Sequence, residues 1–343
     1  MALDLALIAS AALLAWYLTG RVRCYAVASR LLDRPNERSS HAVPTPRGGG
    51  VAIVASFATL SAISAAGERI PSSLLLALLG GAIPVAAIGW YDDRHHVAAR
   101  WRLVAHVAAA AWVVWVLGSL ASIPPLGREV ELRWVGLLGT VLSAVWMVNL
   151  YNFMDGIDGI AGVQAATVAL GGALIGWVAG GSTLALPPLL FAASVLGFLA
   201  WNFPPAKIFM GDVGSGFLGM VLATLALWAA SFSGPLLWSW LILTGTFMTD
   251  ATVTLIRRVL RGEKFYLAHR SHAYQYASRL YKSHKAVTLA FGAINIFWLF
   301  PWALAVALGW IDGALALLLA YAPLVLLAFH YKAGDRAGQG DLA

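Results

Sequence analysis

WVGLLGTVLSAVWMVNLYNFMDGIDGIAG, residues 134–162, opens as an apolar run and closes on a sequence of amides, aspartates and glycines. Its first part, 134–153, has the roughly 20 apolar residues that a helix needs to cross about 30 Å of hydrocarbon. The same reading applies at 2–20, 48–66, 73–91, 103–121, 159–180, 184–203, 214–233, 236–256, 287–309 and 313–330. Pro187, Pro188 and Pro301 are candidate kinks or breaks in these runs. Of the 343 residues 60% are hydrophobic and 11% charged, against about 25% charged in an ordinary soluble domain. The sequence therefore predicts an all-α polytopic membrane protein of 10 to 11 transmembrane helices. One integral-membrane domain is expected over 1–333, followed by a flexible tail at 334–343. No internal repeat is visible, and the single cysteine, Cys24, excludes an intramolecular disulfide and a cysteine-based zinc site.

The formal charge of +7 does not indicate nucleic-acid binding, because the cations lie in short connections between apolar runs. Of the 23 Lys and Arg, 20 fall on alternate connections and only Arg69, Arg128 and Arg133 on the others. By the positive-inside bias the first set is cytoplasmic, the N-terminus periplasmic and the C-terminus cytoplasmic. The first run has no basic leader, carries Asp4 and is followed by Arg21 and Arg23, so it reads as a retained span rather than a cleaved signal peptide. Asp92, Asp93, Asp155, Asp158 and Asp212 sort to the cytoplasmic side, with His41, His95, His96, His269, His272 and His284. An enzyme with a cytosolic substrate needs its chemistry gathered on one face in this way.

Five segments carry that chemistry. In NLYNFMDGIDGIAG (149–162), spacing by three places Asn149, Asn152, Asp155 and Asp158 in one helical stripe beside a stripe of glycines, a surface for a hard cation or phosphate that another helix or the ligand can approach. In WYDDRHH (90–96) the adjacent carboxylates Asp92 and Asp93 repel one another unless a cation or proton intervenes. In NFPPAKIFMGDVGSG (202–216), with Lys207, Gly211 and Ser215, the glycines open a helix start whose amides suit an anion, with Asp212 able to hold Mg²⁺ beside it. Two basic loops, Arg38, His41 and Arg47 in 34–50 and His269, Arg270 and His272 in 265–276, face these aspartates and read as a diphosphate cradle. Asp250 is an intramembrane carboxylate for which Arg257, two turns on, is the expected partner. His106, His284 and His330 read as interfacial, and tryptophans such as Trp16, Trp90, Trp134 and Trp310 as membrane belts.

The acidic pair Asp92-Asp93, the segment NLYNFMDGIDGIAG, the loop KIFMGDVGSG and His269-Arg-Ser-His272 together resemble the polyprenyl-phosphate N-acetylhexosaminyl-1-phosphate transferases, the family of MraY and WecA, over essentially the whole chain. PTPRGGG, NFPPAKIFMGD and HRSHAYQ look most like its O-antigen-initiating branch, which includes WbpL. The resemblance implies a multi-pass enzyme of the bacterial inner membrane that joins a UDP-N-acetylhexosamine to undecaprenyl phosphate, releasing UMP. It implies Mg²⁺, with Mn²⁺ as a substitute, on Asn152 and Asp212, and Asp155 and Asp158 shaping that site or the nucleotide pocket. Asp92 becomes the base for the lipid phosphate and Asp93 its partner. His269, Arg270 and His272 form the diphosphate cradle, and Arg38, His41, Arg47, Asn149, Lys207, Gly211 and Ser215 belong to substrate binding. A homodimer is compatible with the same likeness. Two departures stand out: His96 occupies a position where the family often has Asp or Lys, and His-Arg-Ser-His replaces the histidine-rich loop of the muramyl-pentapeptide enzymes.

Three rivals fit less well. A CDP-alcohol phosphatidyltransferase needs two further aspartates after Asp158-Gly159, where Ile160-Ala161-Gly162-Val163 follows. A UbiA-type prenyltransferase needs two Asp-rich motifs, and only Asp92-Asp93 comes near. A transporter is expected to show repeated halves and midplane ion sites, and Asp250 is the one carboxylate well inside a span. The topology places Cys24 on the cytoplasmic side. In intact cells it should react with a membrane-permeant maleimide and resist an impermeant one; labelling by the impermeant reagent would reverse the orientation.

Overall fold

The computed structural model describes residues 2–33, 35, 43–95, 97–120, 122–123, 130–263 and 269–335. The expected Arg38, His41 and His96, and tail residues 336–343, lie outside them. The helices are α1 (Ala2–Ala28), α2 (Gly50–Ala66), α3 (Ser72–His95), α4 (Ala99–Leu117), α5 (Arg133–Met154), α6 (Ile160–Gly180) and α7 (Ser182–Asn202). They continue with α8 (Asp212–Ala230), α9 (Gly234–Leu243), α10 (Gly245–Leu260), α11 (Ala273–Leu280), α12 (His284–Ile294), α13 (Phe300–Ala307) and α14 (Gly313–His330). Two antiparallel ladders of two-residue strands interrupt the helices, β1 (Leu32–Asp33) with β2 (Thr45–Pro46) and β3 (Ser122–Ile123) with β4 (Val130–Glu131).

Every apolar run read from the sequence coincides with a helix, but not every run is one straight span. Among the described residues nine helices are long and apolar enough to cross a membrane, and ten when a bent pair is counted as one span. That pair is α9 and α10, which share the run 236–256 yet turn through 69° at Thr244. The run 48–66 is the 17-residue α2, shorter than a full span. Pro187 and Pro188 do not break α7. Pro301 follows a π-helical turn, Asn295–Leu299, that joins α12 to α13 without ending the helix.

Burial grades from centre to rim. The spanning window of α8 is 83% buried and those of α7 and α6 are 78% and 72%, whereas α1 and α4 are 22% buried. Rim helices instead expose large apolar side chains, including Trp115 at 75% and Phe297 at 78%. A surface so apolar is at home against lipid chains and not against water. Helix pairs in lipid gain nothing from hydrophobicity alone, so close packing must hold them. Glycine supplies it around α8: Gly219 lies against the Met147 carbonyl of α5, and Gly89 of α3 against the backbone of Asp212.

These contacts fix α8 between α3 and α5 and set the height of its first residue. Gly89→Val pushes a side chain into the Asp212 backbone, and overpacking of this kind costs about 1–3 kcal/mol. It should lower the thermal midpoint in detergent, while Gly139→Ala, at a position with nothing within 4 Å of the added Cβ, should leave the midpoint unchanged or slightly raised.

Candidate active site

Adjacent residues on a helix point about 100° apart, so Asp92 and Asp93 in the last turns of α3 reach different partners. Asp93 turns inward, and its side chain is wholly buried. The backbone N–H groups of Asp212 and Val213, the first two residues of α8, donate to its Oδ1 and Oδ2 at 3.0 and 3.3 Å, and Arg47 Nη2 lies 2.7 Å from Oδ1. Gly211 makes this approach feasible: its φ is +78°, and a Cβ there would stand 2.5 Å from Asp93 Oδ2. Asp92 instead accepts from Val97 N–H and from Arg102 Nη1, both at 2.5 Å. The carboxylate of Asp212 is held between the two arginines, 2.9 Å from Arg47 and 3.1 Å from Arg102. Three carboxylates and two guanidiniums thus alternate across α3, α4, α8 and the loop before α2. The cation demanded by the Asp92-Asp93 repulsion is therefore supplied by the chain. Arg102 was counted only for membrane orientation in the sequence; its position in the first turn of α4, seven residues beyond the end of α3, is what sets it opposite Asp92.

The acidic stripe of 149–158 is not one helical face. α5 ends at Met154 with Asp155 as its C-cap, and Gly159, at φ +75°, precedes the restart at Ile160, so Asp155 and Asp158 sit on a turn. Asn149 donates to Val145 O of its own helix at 2.7 Å. Asn152 Nδ2 donates to the buried Ser215 Oγ at 3.3 Å, one turn into α8 from Asp212. Asp158 accepts from Ala206 N–H at 3.0 Å and lies 3.3 Å from His284 Nδ1, tying the turn to the loop before α8 and to the start of α12. His284, read as interfacial, was missed because its partner lies 126 positions away in the chain. The glycine stripe is filled by the protein: Gly156 faces the Tyr274 hydroxyl and Gly162 faces Leu199. Burial, reinforced by the negative charge of Asp212, pushes the Asp155 carboxyl up to about 7.

The glycine-rich helix starts are likewise engaged by protein. Gly49 N–H and Gly50 N–H donate to Phe209 O and Met210 O, both at 2.9 Å, and Phe209 N–H returns a bond to Pro46 O. Gly50 and Gly214 meet backbone to backbone. The first amides of α8 are those bound by Asp93. These amides therefore already have protein acceptors, and the cationic groups left open are side chains. Lys207 is exposed, with Nζ 5.7 Å from the Trp201 ring centre. Arg47 and Arg102 keep about a third of their side-chain surface open. His269 and Arg270 are half-buried on the loop before α11, while His272 is buried and its Nδ1 lies 3.2 Å from Asp250. Asp250 thus pairs with His272 and not with Arg257, which bonds Asp335 at 2.6 Å.

A divalent ion fits this donor set in one particular way. Among the described residues no three His, Cys, Asp or Glu side chains form a ligand group by themselves. Mg²⁺ characteristically uses one or two carboxylates and takes its other ligands from water and substrate phosphates. The linked carboxylates Asp92, Asp93 and Asp212 outnumber Arg47 and Arg102 by one, and a divalent cation would favour release of the proton that burial holds on Asp155. Asp212, and the side-chain oxygen of Asn152 on α5, whose amide nitrogen bonds Ser215 one turn further along α8, are oxygen donors suited to it.

A family model described as glycosyl transferase family 4 matches residues 75–230, the stretch that contains Asp92, Asp93, the acidic turn and Asp212. Over 278 residues the chain is 31% identical to a protein of Bacillus subtilis named probable undecaprenyl-phosphate N-acetylglucosaminyl 1-phosphate transferase, covering 79% of this chain and 76% of that one. It is 31% identical over 342 residues to a decaprenyl-phosphate N-acetylglucosaminephosphotransferase of Mycobacterium tuberculosis, covering 87% and 84%. A Thermotoga maritima undecaprenyl-phosphate alpha-N-acetylglucosaminyl 1-phosphate transferase is 28% identical over 271 residues, covering 78% and 80%.

The raised acidity constant of Asp155 has a sign that can be tested. The unfolded chain gives up this proton near the ordinary value of 3.8 and the folded chain near 7, so the fold loses stability as pH rises between those values and stays lower above them. In EDTA at pH 8, Asp155→Asn should melt several degrees above the parent protein, with the gap closing toward pH 4. Equal midpoints at pH 8 would remove the carboxylate strain from this turn.

Proposed function

The chain belongs to glycosyl transferase family 4, the family of the polyprenyl-phosphate N-acetylglucosamine-1-phosphate transferases, and on that premise we propose that it transfers an N-acetylhexosamine-1-phosphate from a UDP-sugar to undecaprenyl phosphate. An oxygen of the lipid phosphate attacks the sugar-bearing phosphorus, the bond from that phosphorus to the bridging oxygen breaks, and UMP leaves with that oxygen. The product is an undecaprenyl-diphospho-sugar, made on the cytoplasmic face of the bacterial inner membrane. UDP-GlcNAc or a 6-deoxy relative such as UDP-FucNAc or UDP-QuiNAc is the donor, and the lipid-linked sugar starts an O-antigen or another envelope glycan.

The observation that carries this reading is the convergence of Asp92, Asp93 and Asp212 through Arg47 and Arg102 at one end of the bundle. Negative charge gathers on the diphosphate as the bonds exchange, and pre-placed cations that need no rearrangement lower the barrier most. Arg47 and Arg102 are fixed by the aspartates and still present open edges to a phosphate. His269, Arg270 and His272, at the loop before α11, and Lys207, in the loop before α8, are the further cations we assign to the diphosphate. Asp92, whose carboxylate is 9% exposed and bonded to Arg102 and Val97 N–H, is the base we assign to the lipid phosphate. Mg²⁺, or Mn²⁺ in its place, held by Asp212 with Asn152, supplies charge neutralisation at the diphosphate when bound.

Radiolabel from a UDP-N-acetylhexosamine should pass into an extractable lipid, with UMP released in equal amount; a transporter would move label without forming that lipid. Asp212→Asn, or chelation of divalent ions, should cut UMP release by about a hundredfold or more while the melting transition persists. Undiminished turnover in the purified variant would refute the assignment.

A further inference from the structure

A second buried carboxylate lies outside the acidic cluster. Asp250, in the second turn of α10, is 4% exposed and is surrounded by donors. Its Oδ1 accepts from Ala273 N–H at 3.0 Å and Thr254 Oγ1 at 3.2 Å, and lies 3.2 Å from His272 Nδ1; its Oδ2 accepts from Tyr274 N–H at 3.0 Å. One aspartate from a broken membrane helix therefore binds both leading amides of α11 and the imidazole that precedes them. An uncompensated carboxylate at such a place is costly, and a helix N-terminus is the most favourable neighbour for it.

Two lines of contact lead from that carboxylate toward the site. His272 stacks on His269, with ring centres 4.9 Å apart and an angle of 27°. Tyr274, wholly buried, donates its hydroxyl to Phe153 O at 3.1 Å, two residues before Asp155, and occupies the space left by the missing side chain of Gly156. The basic loop and the acidic turn are separated by more than a hundred residues of sequence, with Phe153 and Tyr274 121 positions apart, and Asp250 with Tyr274 links them.

We infer that Asp250 is a positioning residue that holds the Nδ1–H tautomer of His272 and, through the start of α11 and Tyr274, fixes the basic loop carrying His269 and Arg270 at one spacing from the Asp155 turn. Both oxygens of Asp250 accept backbone N–H groups, so the proposal makes the carboxylate the acceptor here too and Nδ1 of His272 the donor. The consequence for catalysis rests on the transfer reaction proposed above; the tautomer and the linkage do not.

The test uses the full-length protein in detergent or nanodiscs, with Asp250→Asn, Asp250→Glu and Tyr274→Phe beside the parent. With ring-¹⁵N histidine, and His272→Gln to identify the signal, the parent should show His272 protonated at Nδ1, and Asp250→Asn should change that state. Hydrogen exchange should quicken in Asp250→Asn both over 270–280 and over 150–158. Tyr274→Phe should quicken only 150–158 and leave the His272 signal in place. A cap with a purely local role would loosen 270–280 alone, and that result, or Nε2 protonation in the parent, overturns the inference. In turnover, Asp250→Asn should lose roughly ten- to hundredfold in kcat with little change in KM for the UDP-sugar, as expected when reacting groups are displaced by about an ångström, and Asp250→Glu should recover part of it. Parent-like kcat in a folded Asp250→Asn also overturns it. If the parent releases no UMP, the transfer reading fails, while the spectra and exchange rates still decide the positioning role.

Discussion

A carboxylate taken out of water has to find donors, and a helix start is where unbonded backbone donors are concentrated. This constraint organises the molecule. Asp93 closes the start of α8, Asp250 closes the start of α11, and Asp312 accepts from Ala314 and Leu315 N–H at the start of α14. The first two cross between different helices, over 119 positions for Asp93 and 23 for Asp250, so the same bonds that solvate a buried charge also determine where helices begin relative to one another. Asp93 sets α8 against α3 and thereby places Asp212. Asp250 sets α11 against α10 and thereby places the loop with His269 and Arg270.

Because these amides are bound by the protein's own carboxylates, the anion-binding capacity of the site shifts to side chains. A glycine-rich segment running into a helix suggests a phosphate cradle when read alone, since glycine permits backbone N–H groups to converge. Here Gly211 has another reason to be glycine, which is room for the Asp93 carboxylate, and Gly50 and Gly214 have theirs in the touching of two helix starts. The glycines act on the framework of the site, and in the proposed reaction phosphate recognition falls to arginine, lysine and histidine.

The membrane helices were legible because a run of about twenty apolar residues has few alternatives in a chain this hydrophobic. What interrupts a run was less so. The bend at Thr244 lies inside an unbroken apolar stretch and depends on how α9 and α10 pack against α14 and α5, which no local signal carries. The aspartates were found by type and clustering, but their partners were not: spacing by three suggested a helix through Asp158, whereas Gly156 and Gly159 end it at Met154. Arg257 was the natural partner for Asp250 on the helix itself, and the actual one, His272, comes from 22 residues further on. Arg102 is visible in the sequence only as one cation among many. Sequence reveals residues with chemistry to perform; pairing across elements needs the fold.

On the proposed reaction, the arrangement of charge also bears on how anionic substrates would enter an acidic site at all. A nucleotide diphosphate and a lipid phosphate approaching four bare aspartates would be repelled, yet neutralising the aspartates completely would leave nothing to hold a metal. The alternating cluster meets both demands. Each guanidinium has five donors in a plane, and Arg47 and Arg102 each spend one nitrogen on the aspartates, through Nη2 and Nη1 respectively. Their open edges can therefore bind phosphate oxygens without releasing the carboxylates. Lysine in either place would carry the same charge as a single point and would have to choose between aspartate and phosphate. The planar fork lets one residue hold the protein's anion on one side and the substrate's on the other, so substrate binding adds negative charge without dismantling the framework that positions Asp212.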